Sequence, residues 1–371
     1  MSRLVAEASE LPSTGSQDAG QRFTRPPFDV LSPAEQKRVE ESIDRGLEYL
    51  AGHQQPDGSF EARDTGQPGI TALGVMAFLS CGEAPDQGPY GENLKRAIDF
   101  VLRCRREDGL LSFAAPEPGH VHDGATHAGN YNHAIAGLML GEAYGMCSDE
   151  QNERIRDAIE AALRFMRQQQ LKPKRQPVDR GGVRYLRART TIDADLSVTS
   201  WQIMFMRSAL NAGFEVPKEY VDDALGFVKR CFDPRMQTFV YGHSPRDYQP
   251  TRGVAGGGIV CLSLSGEHDS EMAQAAGRWI LQQSFDRSNQ GAGPYHYGAY
   301  YCSQAMFQLG GEYWDEFYPR LTRALTRFQR SDGSWDIEQD FNGNTFGNCY
   351  TTALCVLALT PPYQLLPIYQ R

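Results

Sequence analysis

The chain has 371 residues, 40% of them hydrophobic and 22% charged, with 37 basic against 46 acidic side chains. That is ample apolar material for a core, so global disorder is excluded. A net charge of −9 is a poor match to nucleic acid or to an anionic membrane surface, and no nucleic-acid partner is expected.

No apolar run approaches the ~18 residues of a transmembrane span. The opening stretch, MSRLVAEASELPSTGSQ, has no hydrophobic core of signal-peptide length. The eight cysteines are scattered without a Cys-x-x-Cys pair, which reads as the reduced thiols of a cytoplasmic protein. Residues 1–31 are polar and rich in Ser, Gly, Pro and Gln. They read as a flexible arm ahead of one domain over 32–371. Order is expected from Ser32-Pro33-Ala34-Glu35, which has a capping Ser, a Pro at the first helical position and an acid at the third.

From there one unit recurs: an amphipathic helix, a Gly-containing turn that often carries an aromatic, and a second, more apolar helix. The first helices are read at 46–55, 97–106, 158–170, 224–232, 275–283 and 321–330. The second helices are read at 69–82, 130–145, 197–213, 256–266, 299–311 and 348–360. Val39, Ile43, Leu47 and Leu50 fall on one helical face with polar residues between them. The second helices are apolar nearly all round and dense in Gly, Ala, Ser and Thr, as suits helices buried on most sides. Six such hairpins at about 50–65-residue spacing predict an all-α (α/α)6 toroid. An open solenoid needs polar end repeats, and the inner helices of the first and last units are as apolar as the rest. No β-alternation of useful length and no Gly-rich nucleotide-binding motif is present.

Two turns share a longer pattern, Gln-x-x-x-Gly-x-(Trp/Phe). They are Gln54-Gln55-Pro56-Asp57-Gly58-Ser59-Phe60 and Gln329-Arg330-Ser331-Asp332-Gly333-Ser334-Trp335. The pattern resembles the repeat of squalene and oxidosqualene cyclases and of protein prenyltransferase β-subunits. The likeness spans roughly 36–360 and is closest to the single-barrel bacterial proteins of that prenyltransferase/squalene oxidase repeat superfamily. It implies a toroid with a central cavity and an isoprenoid or other apolar small molecule as partner. Peripheral membrane contact would suit such a ligand.

In such a barrel the starts of the inner helices surround one mouth. Gly69 to Thr71, His127 to His133, Asp193 to Trp201, Thr251 to Gly258, Tyr295 to Gln304 and Phe346 to Thr351 are expected there. Class II terpene cyclases carry Asp-x-Asp-Asp-Thr at such a start, and its middle Asp protonates an alkene or epoxide. The match here is Asp193-Ala194-Asp195-Leu196-Ser197. It makes Asp195 the catalytic acid and Asp193 its assistant, with Leu196 replacing the third Asp. The bland alternative is that Asp195 or Ser197 simply caps the next helix. Tyr131, Trp201, Tyr297, Tyr300, Tyr301, Tyr350, Gln304 and His133 are expected to line the cavity and bind substrate, because aromatic faces suit an apolar ligand or a carbocation.

The prenyltransferase zinc site is not reproduced: Cys302 and Cys349 stand at matching places, but the Asp and His do not. His120, His122, His127 and His133, with Asp123, Asn130 and Asn132, form a second polar cluster. Histidines so spaced are common in loops without metal, so neither metal nor other cofactor is expected. The run from Leu163 to Arg189 holds nine basic residues against Asp179 alone. It suits a diphosphate or, more often, a solvated face. The sequence thus supports a terpene-cyclase-like enzyme acting by proton-initiated cyclisation. A non-catalytic toroid that binds a lipid or protein is the alternative. A carbohydrate-active toroid needs two facing carboxylates, which the inner-helix starts do not supply.

Overall fold

The computed structural model describes residues 27, 29–187, 192–286, 293–338 and 343–370, the side chains of 343–345 excepted. Most of the arm expected over 1–31, together with Arg189 and Thr191, lies outside the described residues. At the arm's end the Pro27 carbonyl accepts from Trp314, and Leu31 is buried.

Helix α1 (Pro33–Gly52) starts where the sequence says it should. Ser32 Oγ accepts from Glu35 N at 3.3 Å, and the Glu35 carboxylate accepts from Ser32 N at 3.0 Å. Val39, Ile43, Leu47 and Leu50 form its buried face. The other outer helices are α3 (Gly91–Arg103), α5 (Asp149–Leu171), α7 (Lys218–Arg230), α9 (Glu271–Leu281) and α11 (Gly311–Phe328). They alternate with inner helices α2 (Gly69–Leu79), α4 (Ala125–Ala143), α6 (Leu196–Asn211), α8 (Arg252–Leu264), α10 (Tyr295–Leu309) and α12 (Gly343–Leu359). The last of these breaks at Gly347, whose φ is 70°.

Each inner helix packs on the next, and α12 packs back on α2. The ring is therefore closed, and the molecule is an α/α toroid. Every residue of α2 is buried, which is why its sequence carries no amphipathic signal.

The repeated glutamines are struts between units. Gln54 Nε2 donates to the carbonyls of Gly58 (3.0 Å) and Asn93 (2.8 Å), and its Oε1 accepts from Asn93 and Arg96. Gln329 does the same across the ring closure, donating to Gly333 and Ser42 and accepting from Ser42 and Arg45. Gly58 and Gly333 have φ of 94° and 88°, and a Cβ on either would run into the Arg96 or Arg45 carbonyl. The turn aromatics fill the space behind. Phe60 lies in the notch left by Gly74, and Trp335 Nε1 donates to the Leu325 carbonyl.

A third copy is hidden by an insertion. Gln170 Nε2 donates to the carbonyls of Gly181 and Tyr220, with ten residues between Gln and Gly instead of three.

Beyond α12, residues 361–370 cross the far end of the barrel. Tyr369 Oη meets Tyr300 Oη at 2.6 Å, and Gln308 donates to the Tyr369 carbonyl. Ile368 N donates to Glu142, and Asn211 donates to the Pro367 carbonyl. Strands β1 (Phe232–Asp233) and β2 (Thr238–Phe239) form a two-residue hairpin too short to leave an alternating pattern.

Several helices begin earlier than the periodicity indicates. The largest consequence is at α4, expected from Asn130 and found from Ala125. Its start has no local cap: the carboxylate of Glu117 accepts from Ala125 N (3.0 Å) and Thr126 N (2.8 Å) instead. A distant carboxylate capping the helix leaves no short-range signature. It places His127 on the first turn of α4 and moves His133 well inside the helix.

Candidate functional site

The first turns of the six inner helices surround a central cavity of about 340 Å³, within the ~300–1,000 Å³ of ordinary ligand pockets. Its apolar floor comes from Ile70 and Leu73 of α2, Ile135 of α4 and Val254 of α8. Seven Tyr, Trp and Phe side chains, with His122 and His127, supply the aromatic part of the wall.

Of the aromatic residues expected there, Tyr131, Trp201, Tyr297 and Tyr350 line the cavity. Tyr297 Oη is held by Ser197 Oγ at 2.6 Å and by Trp201 Nε1 at 3.2 Å. Tyr300 and Tyr301 do not reach the cavity lining. Tyr300 stacks behind Trp201 at 5.5 Å and bonds Tyr369, whereas Tyr301 meets the Trp201 edge and donates to Met204 Sδ. They support the wall rather than form it. Gln304 lies deeper still and donates to the Leu357 carbonyl.

His133 also lies outside the lining. Its Nδ1 accepts from Leu111 N at 3.1 Å, so Nε2 carries the proton and donates to the Ala162 carbonyl at 3.1 Å. Burial pushes its pKa down to about 4. His133 is thus a neutral tie between the turn after α3 and helix α5.

Asp195 and Asp193 have separate surroundings, and neither side chain is part of the lining. Asp195 is fully buried and caps α6, its Oδ1 accepting from Val198 N at 2.8 Å. Its Oδ2 lies 3.5 Å from Arg184 Nε. Burial pushes this carboxyl up to about 6, against the pull of Arg184, the Val198 N–H and the Tyr241 hydroxyl. Asp193 is gripped by Arg175 through backbone N (2.7 Å), Nε and Nη2. Burial works against ionisation there too, but the Arg175 contacts outweigh it and the carboxyl sits low.

Sequence reasoning missed the wall on the Asp195 side. Arg184, Tyr185 and Tyr241 line the cavity with Asp247. Arg184 pairs with Asp247 at 3.3 Å and lies 4.8 Å and 5.4 Å from the Tyr185 and Tyr241 ring centres. The Tyr241 hydroxyl meets Tyr185 Oη at 3.3 Å and Tyr131 Oη at 3.5 Å. Burial raises the phenols of Tyr131, Tyr185 and Tyr241, so all three stay protonated at neutral pH. Tyr241 therefore stands between the hidden carboxyl of Asp195 and the cavity.

Glu338 also reaches the lining and was not foreseen. Its oxygens accept from the N–H groups of Tyr295, His296 and Tyr297, which open α10. A carboxylate at a helix N-terminus is well placed, but its acceptor capacity is already used.

Three of the nine residues of the basic run are paired within the chain. Arg167 pairs with Asp223, Arg175 with Asp193, and Arg184 with Asp195 and Asp247. Cys302 and Cys349 are buried thiols pushed up to about 12 by burial, far from the thiolate that zinc requires.

The histidines divide in two. His120, His122 and His127 offer ring nitrogens that all lie within 4.8 Å of one another. His122 and His127 line the cavity, and Tyr185 stacks on His127 at 4.0 Å.

Comparisons place the chain by shape. No family model matches it, and no curated protein does. Among solved structures it is similar to a variant of the type II terpene cyclase MstE from Scytonema, in complex with geranylgeranyl dihydroxybenzoate. That match has a TM-score of 0.57 and 15% identity, over 90% of this chain and 99% of that one. A second MstE variant holds the product merosterolic acid A, with a TM-score of 0.56 and 16% identity over 91% and 100% of the two chains. The chain is also similar to an inactive variant of the alpha-1,6-mannanase GH76A of Salegentibacter sp. HEL1_6, in complex with alpha-1,6-mannotriose. There the TM-score is 0.62 and the identity 12%, over 88% and 99%. Identities this low show a shared toroid fold.

Proposed function

We propose that this chain is a terpene-cyclase-like enzyme that takes an isoprenoid or similarly apolar molecule into the central cavity. The observation that carries this reading is the pairing of an aromatic chamber with a buried acid, raised by burial to about 6, just behind its wall. Tyr131, Trp201, Tyr297 and Tyr350 offer ring faces to an apolar chain or a developing cation. Asp195 is the proton reservoir, and Tyr241 is the hydroxyl through which a proton reaches the cavity. One toroid of the same shape holds a geranylgeranyl compound, which suits a chamber of this lining. Asp193, held by Arg175, takes no part beyond fixing the chain ahead of Asp195. Substrate delivered from a membrane surface fits the same reading.

Two observations bear on the other readings. Glycoside hydrolysis needs a paired acid and base, and the lining carboxylates Asp247 and Glu338 are already bonded to Arg184 and to the start of α10. A non-catalytic ligand-binding toroid is favoured by the position of Asp195, which caps α6 and is closed off from the cavity.

The test is incubation with squalene, oxidosqualene, farnesyl diphosphate and geranylgeranyl diphosphate, with extracts resolved by mass. Wild type is expected to give a cyclised product from one of them. Asp195→Asn and Tyr241→Phe should each lower turnover by about 10²-fold or more, the usual range for losing a general acid. Asn caps a helix as well as Asp does, so the first variant should stay folded. Turnover undiminished in Asp195→Asn would remove the acid from the scheme. No product from any of the four, with an apolar fluorescent probe still bound in the cavity, would leave the binding module.

A further inference from the structure

We propose that His120, His122 and His127 form a binding site for one divalent transition-metal ion of the zinc class at the mouth of the cavity. Among the described residues, these three bring one imidazole nitrogen each to within 4.8 Å of the other two. Three nitrogens at about 2.0–2.1 Å from a tetrahedral ion stand roughly 3.3 Å apart. Small side-chain rotations therefore close the set around an ion. The ring centres are 5.0 Å apart for His122 and His127, 5.5 Å for His120 and His127, and 6.5 Å for His120 and His122.

The three residues sit on backbone that is firmly held. His127 is on the first turn of α4, whose opening N–H groups are bound by Glu117. The loop bearing His120 and His122 is tied to the same turn, because Val121 N donates to Thr126 Oγ1 at 2.9 Å and Gly124 N to the Val121 carbonyl at 3.1 Å. Tyr185 covers the cluster from the cavity wall, stacking on His127 and lying 5.3 Å from His120. That wall limits the rotamers open to both rings.

The donor set chooses the class of metal. Three imidazoles without a carboxylate or thiolate suit Zn²⁺ and its neighbours rather than Mg²⁺ or Ca²⁺, which take oxygen ligands. Asp123 is exposed and outside the group. Three protein ligands leave a coordination position open, as in catalytic rather than structural zinc sites. An ion shared by His122 and His127 borders the cavity they both line. A polar end of a cavity ligand can then bind to it. This departs from the sequence expectation that no metal is bound.

The experiment uses the full-length, tag-free chain, stripped with a chelator and dialysed. Zn²⁺ is titrated by calorimetry, and Co²⁺ is added as a spectroscopic substitute. The expected result is uptake of one ion per chain, with a ligand-field Co²⁺ band of a four- or five-coordinate site. Removing a partner one shell out already costs metal sites about 10–100-fold. His122→Ala and His127→Ala should therefore each weaken binding by roughly 100-fold or more. His268→Ala, beyond the far end of α8, should leave it unchanged. His127→Gln keeps a helix-compatible side chain and serves if the alanine variant fails to fold by circular dichroism. No stoichiometric uptake by the folded wild type overturns the site. So does uptake that the His122 and His127 replacements leave intact. The readout is metal uptake alone, so the result is independent of the cavity's substrate.

Discussion

Glu142 shows how far burial shifts a single carboxyl in this barrel. It lies on α4 near the floor, accepts from Ser208 Oγ and Ile368 N, and is pushed up to about 7 by burial that these donors only partly offset. With its folded pKa raised, the native chain keeps a proton that the unfolded chain gives up. Glu142 therefore costs stability progressively as pH rises from about 4.5 to about 7, and the full loss persists above that window. His133 acts in the opposite direction. Its lowered pKa means that stability is lost as pH falls from about 6.5 towards about 4. Comparing Glu142→Gln with wild type cancels the histidine. The variant should gain on wild type across pH 4.5–7, by up to roughly 3 kcal/mol in urea unfolding. A difference that stays flat with pH would show that folding does not raise the Glu142 pKa. At this scale the sequence was legible where a residue acts on its neighbours. The capping position of Asp195 and the box at Ser32 and Glu35 follow from spacings of three residues. Arg184, Tyr185, Tyr241 and Asp247 were invisible as a group because they sit in irregular segments and meet only through tertiary packing. His133 was misplaced because Glu117, eight residues before the start of α4, caps that helix from outside any local pattern.

The helical hairpin is the unit that the turns hold together. A glutamine, a left-handed glycine and an aromatic do three separate jobs in it. The glutamine binds the next outer helix, the glycine lets two backbones touch, and the ring fills the gap. Gly333→Ala forces a side chain into positive φ and against the Arg45 carbonyl. It should cost about 2 kcal/mol or more, because the strain adds to a clash with backbone. Gln329→Ala removes four hydrogen bonds, at about 1 kcal/mol each before water replaces some of them. Thermal unfolding of both variants against wild type measures these losses, and a shift within error for Gly333→Ala would show that the turn relaxes. The two complete turns were legible because their spacing is intact. The Gln170–Gly181 copy was not, since ten intervening residues break the pattern while the hydrogen bonds survive.

The whole molecule is a ring, so no repeat is terminal. Gln329 bonds to α1 as Gln54 bonds to α3, and α12 packs on α2 as α2 packs on α4. Unfolding should therefore be cooperative across all six units. Far-UV circular dichroism and tryptophan fluorescence are independent probes here. Trp279, Trp314 and Trp335 report on the last two units and Trp201 on the third, whereas dichroism reports on all twelve described α-helices. The two denaturation curves should coincide. A fluorescence transition offset from the dichroism transition would mean that part of the ring opens alone, as in a linear array. Ring closure was legible from the apolar end repeats, because an open end would have to show water a polar face. The cavity's chemistry was not, because the same toroid accommodates a terpene cyclase and a mannanase.

The segment across the far end of the barrel makes the chamber a cul-de-sac. With Tyr369 locked to Tyr300 and Ile368 to Glu142, the described residues close the far end, and traffic through the central chamber is two-way at the mouth formed by the inner-helix starts. Whatever is admitted at that mouth leaves by it. Capture and release then share one gate, so a change at the rim that speeds arrival also speeds departure. A filament longer than the chamber is held by one end, like a thread in a thimble, and never passes through.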